Sequence, residues 1–302
     1  MPHSAGSKTL GIRLAPILAA WVLGTVSVAA AAEKMTVFVS IAPQKHFVER
    51  IAGPRVAVEV MVAPGASPAT YEPRPRQMTA LAGARLYFAI GVPFEAAWLD
   101  KIAAANPGMQ VIRTHEGIQK RPSGGHRHQG AGHGEKGHDH GILDPHIWTA
   151  PPLVKMQAAR IRDALIAVDP AGGGIYRANY ERFADEIEAL DAELHEIFQD
   201  RHGTAFMVFH PSWGYFADAY GLTQIPIEIE GKSPKPAQLA ELIQTARDKG
   251  IRVIFVQPQF SDTAAQAVAR AIDGRVVAAD PLAEDWMANL RRQARVFREA
   301  LR

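Results

Sequence analysis

The residues of this chain best equipped for chemistry are histidines. His126, His128, His133, His138 and His140 are scattered through a glycine-rich polar run from Gly124 to Gly141, and the turn Asp144, Pro145, His146, Ile147, Trp148 follows. Neutral imidazole is the commonest transition-metal ligand and suits zinc, copper, nickel and iron, so many on one tether make a metal collector of low specificity. A run with almost no apolar residues cannot offset its ordering entropy by burial, so a mobile loop is expected there. A polar surface linker is the plain alternative, but linkers ordinarily use Ser, Gly, Pro or charge.

Two further candidates stand where apolar runs end. His210 directly follows Phe206 to Phe209, and Asp280 directly follows Arg275 to Ala279. In open parallel sheets ligands bind outside the carboxyl ends of the strands. Two imidazoles and a carboxylate, His146, His210 and Asp280, converging on a cleft suit a borderline divalent cation. Singly, His210 before Pro211 reads as a strand-end hydrogen-bonding group and Asp280 before Pro281 as a turn starter. Their joint placement beside a histidine tether favours a metal.

The elements that must position these residues alternate between strand and helix. Strands are expected at 36–42, 56–63, 86–90 and 110–113, with helices at 43–51, 73–81 and 94–105 between them. After the His-rich run come helices at 153–168 and 175–200, with Gly172, Gly173 and Gly174 as a break. On the longer helix Tyr176, Tyr180, Phe183, Ile187, Leu190, Leu194 and Ile197 form one narrow apolar stripe, roughly 39 Å long. Strands at 205–209, 224–229, 251–256 and 275–279 then alternate with helices at 214–220, 236–249, 263–272 and 286–301. Near-continuous apolar strands alternating with helices indicate parallel sheets covered on both faces. The predicted fold is α/β: two lobes joined by one long rigid helix, with the metal site in the cleft between them. The expected divisions are a signal peptide at 1–32, an N-terminal lobe at 33–170, a linking helix at 171–201 and a C-terminal lobe at 202–302.

Lys8 and Arg13 precede an apolar run from Leu14 to Val28 that ends in Ala29 to Ala32. That pattern reads as a cleaved secretory signal. No cysteine occurs, which leaves no lipid-attachment site, disulfide or thiolate metal site, and a soluble periplasmic product is expected. Removing the signal leaves 31 Lys and Arg against 31 Asp and Glu, so charge gives no reason to expect nucleic acid or a membrane surface as partner. His115, His195 and His202 read as surface residues, and Trp98, Trp213 and Trp286 as core.

These residues give the chain its resemblance. It resembles the periplasmic metal-binding proteins of ABC importers for zinc and manganese, the ZnuA and TroA-like family (cluster A-I), over essentially the whole mature chain. The likeness rests on GASPATYEP (Gly65 to Pro73), the His-rich run, DPHIW (Asp144 to Trp148), FHPSWGYFADAYG (Phe209 to Gly221) and DPL (Asp280 to Leu282). It implies His146 and His210 as metal ligands, Asp280 as the carboxylate ligand, and the loop histidines as accessory groups. It implies Zn2+ as the transported ion, since members with His at the position of His210 tend to carry zinc, ahead of Mn2+ or Fe2+. One residue departs from the pattern. Ala69 stands where the family usually has a histidine, and a methyl group cannot bind metal. The site then has three protein ligands plus water, or a substitute. His46 is the first candidate, ahead of Glu72, Glu228, Glu230 and the loop histidines, with a solvated His46 in the first helical turn as the competing reading.

The function implied is capture of a divalent metal and its delivery, by a monomer, to an ABC permease and its ATPase in the inner membrane. An exported zinc hydrolase is the alternative, because three protein ligands and a water suit a catalytic site. Against it, the chain has no HExxH and no serine elbow. A periplasmic metal buffer without a transporter is the third reading.

Overall fold

The apolar runs become the strands of two parallel sheets. A computed structural model describes residues 1–4, 6, 34–123, 143–229, 231–261 and 263–301. Lys34–Arg302 forms one compact unit, distinct from Met1–Glu33. Almost all of the expected signal segment therefore lies outside the described residues. Strands β1 (Met35–Val39), β2 (Val56–Val60), β3 (Ala84–Ala89) and β4 (Gln110–Arg113) pair in the order β2-β1-β3-β4. Strands β5 (Ala205–Val208), β6 (Thr223–Pro226), β7 (Val253–Val256) and β8 (Arg275–Ala278) repeat that order as β6-β5-β7-β8. Every pairing is parallel. Central strands lie between helices on both faces, so Val37 to Val39 and all of β7 are buried and carry no polar alternation.

The helices α1 (Ala42–Ala52), α2 (Pro75–Ala80), α3 (Pro93–Ala105) and α4 (Pro151–Val168) belong to the first half. Next comes α5 (Gly173–Phe198), then α6 (Gly214–Ala219), α7 (Pro236–Asp248), α8 (Thr263–Ala271) and α9 (Trp286–Ala300). Helix α4 starts two residues before the expected 153. Pro151 and Pro152 occupy its first turn, where a missing N–H costs nothing and φ is already helical. The three glycines expected as a break divide differently. Gly172 closes a 3-10 turn, its N–H donating to Asp169 Oδ1 at 3.2 Å, and Gly173 and Gly174 open α5. A Cβ on Gly172 would lie 2.7 Å from both Arg55 Nε and Tyr176 Cζ, so only glycine admits that approach. Strand β7 begins two residues later than expected, because the Ile251 N–H is spent on Ala246 O at the end of α7.

Of the expected stripe on α5, Tyr176, Phe183, Ile187, Leu190 and Leu194 are buried and Tyr180 and Ile197 partly so, and Phe198, outside the expected pattern, is buried beside them. Helix α5 packs against α1 and α4 from the first half and α9 from the second. Asn179 donates to Ile51 O at 2.8 Å near one end, and Arg291 of α9 donates to Glu193 at 2.6 Å near the other. Trp213 and Trp286 are core residues, and Trp98 packs partly buried against the core.

Each sheet has one point where the strand order reverses, and a buried side chain bridges it. In the first sheet Glu95 accepts from Ser40 Oγ at 2.6 Å beyond β1, and from Ile90 N at 2.9 Å and Gly91 N at 2.8 Å beyond β3. Burial raises its pKa. In the second, Gln257 beyond β7 donates to His210 O at 2.7 Å beyond β5, and its Oε1 accepts from His210 N at 3.3 Å. Such reversal points are where open α/β sheets bind ligands.

His115, expected at the surface, is half-buried near Gly91 (φ 85°) and Lys120, in the connection after β4. Burial first, and the Lys120 charge second, lower its pKa to about 4. The unfolded chain therefore binds a proton that the folded chain refuses. Stability contributed by neutral His115 is present above pH 6.5 and is lost as pH falls toward 4. Denaturant midpoints measured at pH 7.5, 5.5 and 4.5 are expected to fall less steeply for His115→Gln than for the parent. An unchanged slope would remove His115 as a source of acid sensitivity.

Candidate metal centre

His146 and His210 are the expected site residues that the fold brings together. Their Nε2 atoms lie 3.3 Å apart, and the rings meet edge to face with centroids 5.1 Å apart. The other nitrogen of each ring is held by a buried carboxylate. Nδ1 of His146 donates to Asp144 Oδ1 at 2.7 Å, and Nδ1 of His210 donates to Glu228 Oε1 at 2.6 Å. An ionised carboxylate only accepts, so it fixes the Nδ1–H tautomer and leaves the Nε2 lone pair free on both rings. Two such lone pairs facing each other repel unless a cation lies between them. Nitrogens at about 2.0–2.1 Å from one tetrahedral zinc are roughly 3.3 Å apart, so the spacing fits a shared ion.

Local sequence explains each placement. Pro145 forces a tight turn in which Asp144 Oδ1 also accepts from His146 N at 3.0 Å, so one carboxylate oxygen holds both backbone and ring. A 3-10 turn, Ile147–Thr149, follows, and Trp148 Nε1 donates to Pro281 O at 2.8 Å beyond β8. His210 lies two residues beyond β5, clamped through its backbone by Gln257, with its ring stacked on Phe260 at 4.7 Å. The two side chains are 13% and 19% exposed, low enough to exclude bulk water yet open to an ion. Burial lowers the His146 pKa, against the raising influence of Asp144. The ring is therefore neutral near pH 7, the state that binds metal.

The pair sits on the wall of a cavity of about 220 Å³ between the strand ends of the two sheets. Ser67, Pro68 and Ala69 beyond β2, with Val92 and Pro93 beyond β3, form one side. Glu228, Gln257, Gln259 and Phe260 face them from beyond β6 and β7.

The other candidates differ in their placement. Asp280 is not among the residues lining the cavity, although Pro281 and Leu282 are. Its Oδ1 accepts from Gln259 Nε2 at 3.1 Å and Leu282 N at 2.9 Å. His46 lies on α1 beside Phe183 and Trp286, with ring centroids 5.9 and 6.5 Å away, outside the cavity lining. Burial lowers its pKa, and its buried Nε2 has no hydrogen-bond partner among the described residues. It is thus half-buried in the fold and outside the lining of the cavity that holds the histidine pair. Glu72 is exposed and away from the cavity. Glu228, considered as a substitute ligand, lines the cavity and holds His210 Nδ1 through Oε1. Glu230 and the loop histidines His126, His128, His133, His138 and His140 lie outside the described residues. No cluster of three or more His, Cys, Asp or Glu able to hold a metal occurs among the described residues.

The roles of Asp144, Gln257 and Phe260 escape sequence reasoning. Only Asp144 carries a usable signal, an aspartate two residues before a histidine with proline between them.

Comparison with known proteins agrees with this geometry. The family profile "ZnuA: Zinc-uptake complex component A periplasmic" matches residues 37–300. The high-affinity zinc uptake system protein ZnuA of Paracoccus denitrificans is 30% identical over 269 residues, covering 81% of this chain and 82% of that protein. The protein of that name from Yersinia pestis is 27% identical over 262 residues, 82% of each chain. A ZnuA crystal structure superposes with a TM-score of 0.82 at 40% identity, covering 89% of this chain and all of the other. With paired imidazoles at the strand ends and a profile match spanning both sheets, the chain belongs to the ZnuA family, the periplasmic component A of zinc-uptake complexes.

Proposed function

We propose that this chain captures zinc outside the cytoplasm, between His146 and His210, and delivers it to the membrane permease and ATPase of an ABC importer. The observation that carries this reading is the pair of Nε2 atoms 3.3 Å apart, each ring fixed through Nδ1 by a carboxylate. Asp280, its Oδ1 held by Gln259 and Leu282, joins them as a ligand only if its carboxylate enters the cavity, whose lining does not include it. The chain acts as a soluble monomer in the periplasm, with residues 124–141 as an accessory collector that concentrates zinc near the cleft. Among the described residues no helix is long and apolar enough to cross a membrane. Catalysis is no part of this role: the family's members are transport components, and Glu228, a carboxylate on the cavity wall, is hydrogen-bonded to His210.

Chelator competition with zinc tests this on the signal-free chain and on a variant lacking residues 124–141. One tight site is expected to survive the deletion, with only weaker additional zinc lost. Loss of the tight site on deletion would make the chain chiefly a histidine-run buffer.

A further inference from the structure

The cavity beside the histidine pair is larger and more apolar than a bare ion requires. Its volume of about 220 Å³ holds several waters at about 30 Å³ each. Pro68, Ala69, Val92, Pro93, Phe260 and Leu282 make much of its wall carbon. Buried waters in such a space need two to four polar partners each, and this wall offers few. The donors are also too few. Four-coordinate zinc takes four, and among the described residues His146 and His210 supply two. Glu228 Oε1 is engaged by His210, Asp280 lies outside the cavity lining, and Ala69 presents a methyl group.

We infer that this cleft takes zinc as a chelate, together with a small bidentate organic ligand of amino-acid size. The inference rests on the zinc-capture reading above and names the form of its cargo. The ligand donates one nitrogen and one carboxylate oxygen to the two positions the described residues leave open. Its carbon skeleton packs against Ala69, Val92 and Phe260, while Ser67 and Ser123 on the same wall receive its outward polar atoms. Ala69 is then a specificity residue: a histidine there would occupy a position that the chelator fills.

The probe is L-histidine, titrated into the full chain carrying one equivalent of zinc and followed by calorimetry and native mass spectrometry. The double variant His146→Ala/His210→Ala, run in parallel, reports zinc held elsewhere on the chain. A saturable species of one chain, one zinc and one histidine is expected in the parent and not in the double variant. Ala69→His is expected to bind zinc alone at least tenfold more tightly and to take up L-histidine at least tenfold more weakly. If zinc binds through the pair but L-histidine only strips it, the chelate inference is overturned and zinc capture stands. If the double variant holds zinc as tightly as the parent, zinc capture by the pair fails, and the chelate with it.

Discussion

Zinc affinity is expected to fall by roughly three orders of magnitude in His146→Ala. Loss of a group that merely orients a ligand typically costs 10–100-fold in metal affinity, and loss of the ligand costs more. Here the effect is enlarged because His146 is one of two nitrogen donors placed together, and alanine leaves His210 to hold the ion alone. The loss corresponds to about 4 kcal/mol at 1.4 kcal/mol per decade. Asp144→Asn gives the graded comparison. Its side-chain amide can still accept from His146 Nδ1, but it carries no charge and can also present N–H to the ring, which would favour the wrong tautomer. A loss of about 10–100-fold is expected for it. Competition with a chromogenic chelator at pH 7.5 measures both. If Asp144→Asn matched His146→Ala in size, the carboxylate would be a ligand itself rather than the group that orients one.

Much of the fold is legible in the sequence for a simple reason. Parallel strands buried on both faces write themselves as unbroken apolar runs such as Thr36 to Ala42 and Ile251 to Val256, and proline and glycine punctuate the helices between them. Boundaries shift where a neighbouring element claims a backbone group, as the end of α7 claims the Ile251 N–H. The two ring ligands are legible because each stands in a local motif, one in a turn and one at a strand end. Their carboxylate partners divide. Asp144 is two residues from His146 and visible in hindsight, whereas Glu228 reaches His210 from 18 residues away, across the β5–β6 pairing, with no local trace. Asp280 and His46 show the converse limit. Asp280 follows β8 and His46 lies in α1, and contacts that sequence does not display join Asp280 Oδ1 to Gln259 and Leu282 and set the His46 ring beside Phe183 and Trp286.

Trp286→Ala is expected to lower stability by about 3–5 kcal/mol, the usual range for deleting a large aromatic side chain from a core. Trp286 is 1% exposed at the start of α9, and its ring meets Phe47 of α1 edge to face at 5.2 Å. Its Nε1 donates to Trp148 O at 2.6 Å, so alanine also leaves a carbonyl of the metal-site turn without this donor. Trp148 in turn donates to Pro281 O, and its ring lies 5.1 Å from that of His146. One tryptophan thus ties α9 to α1 and to the turn that aims the first ligand. For a chain of this size each kcal/mol corresponds to roughly 2–4 °C of Tm, so a drop of at least about 6 °C is expected in metal-free protein. Trp286→Phe keeps most of the ring and loses only the N–H, and its expected cost is about 1–2 kcal/mol, close to that of one buried hydrogen bond. Thermal melts with and without zinc separate the two contributions. If the tryptophan serves packing alone, both variants bind zinc like the parent once folded. If it also positions the turn, Trp286→Phe weakens zinc binding out of proportion to its small loss of stability, because the Trp148 carbonyl is then free to move His146 off the line to His210.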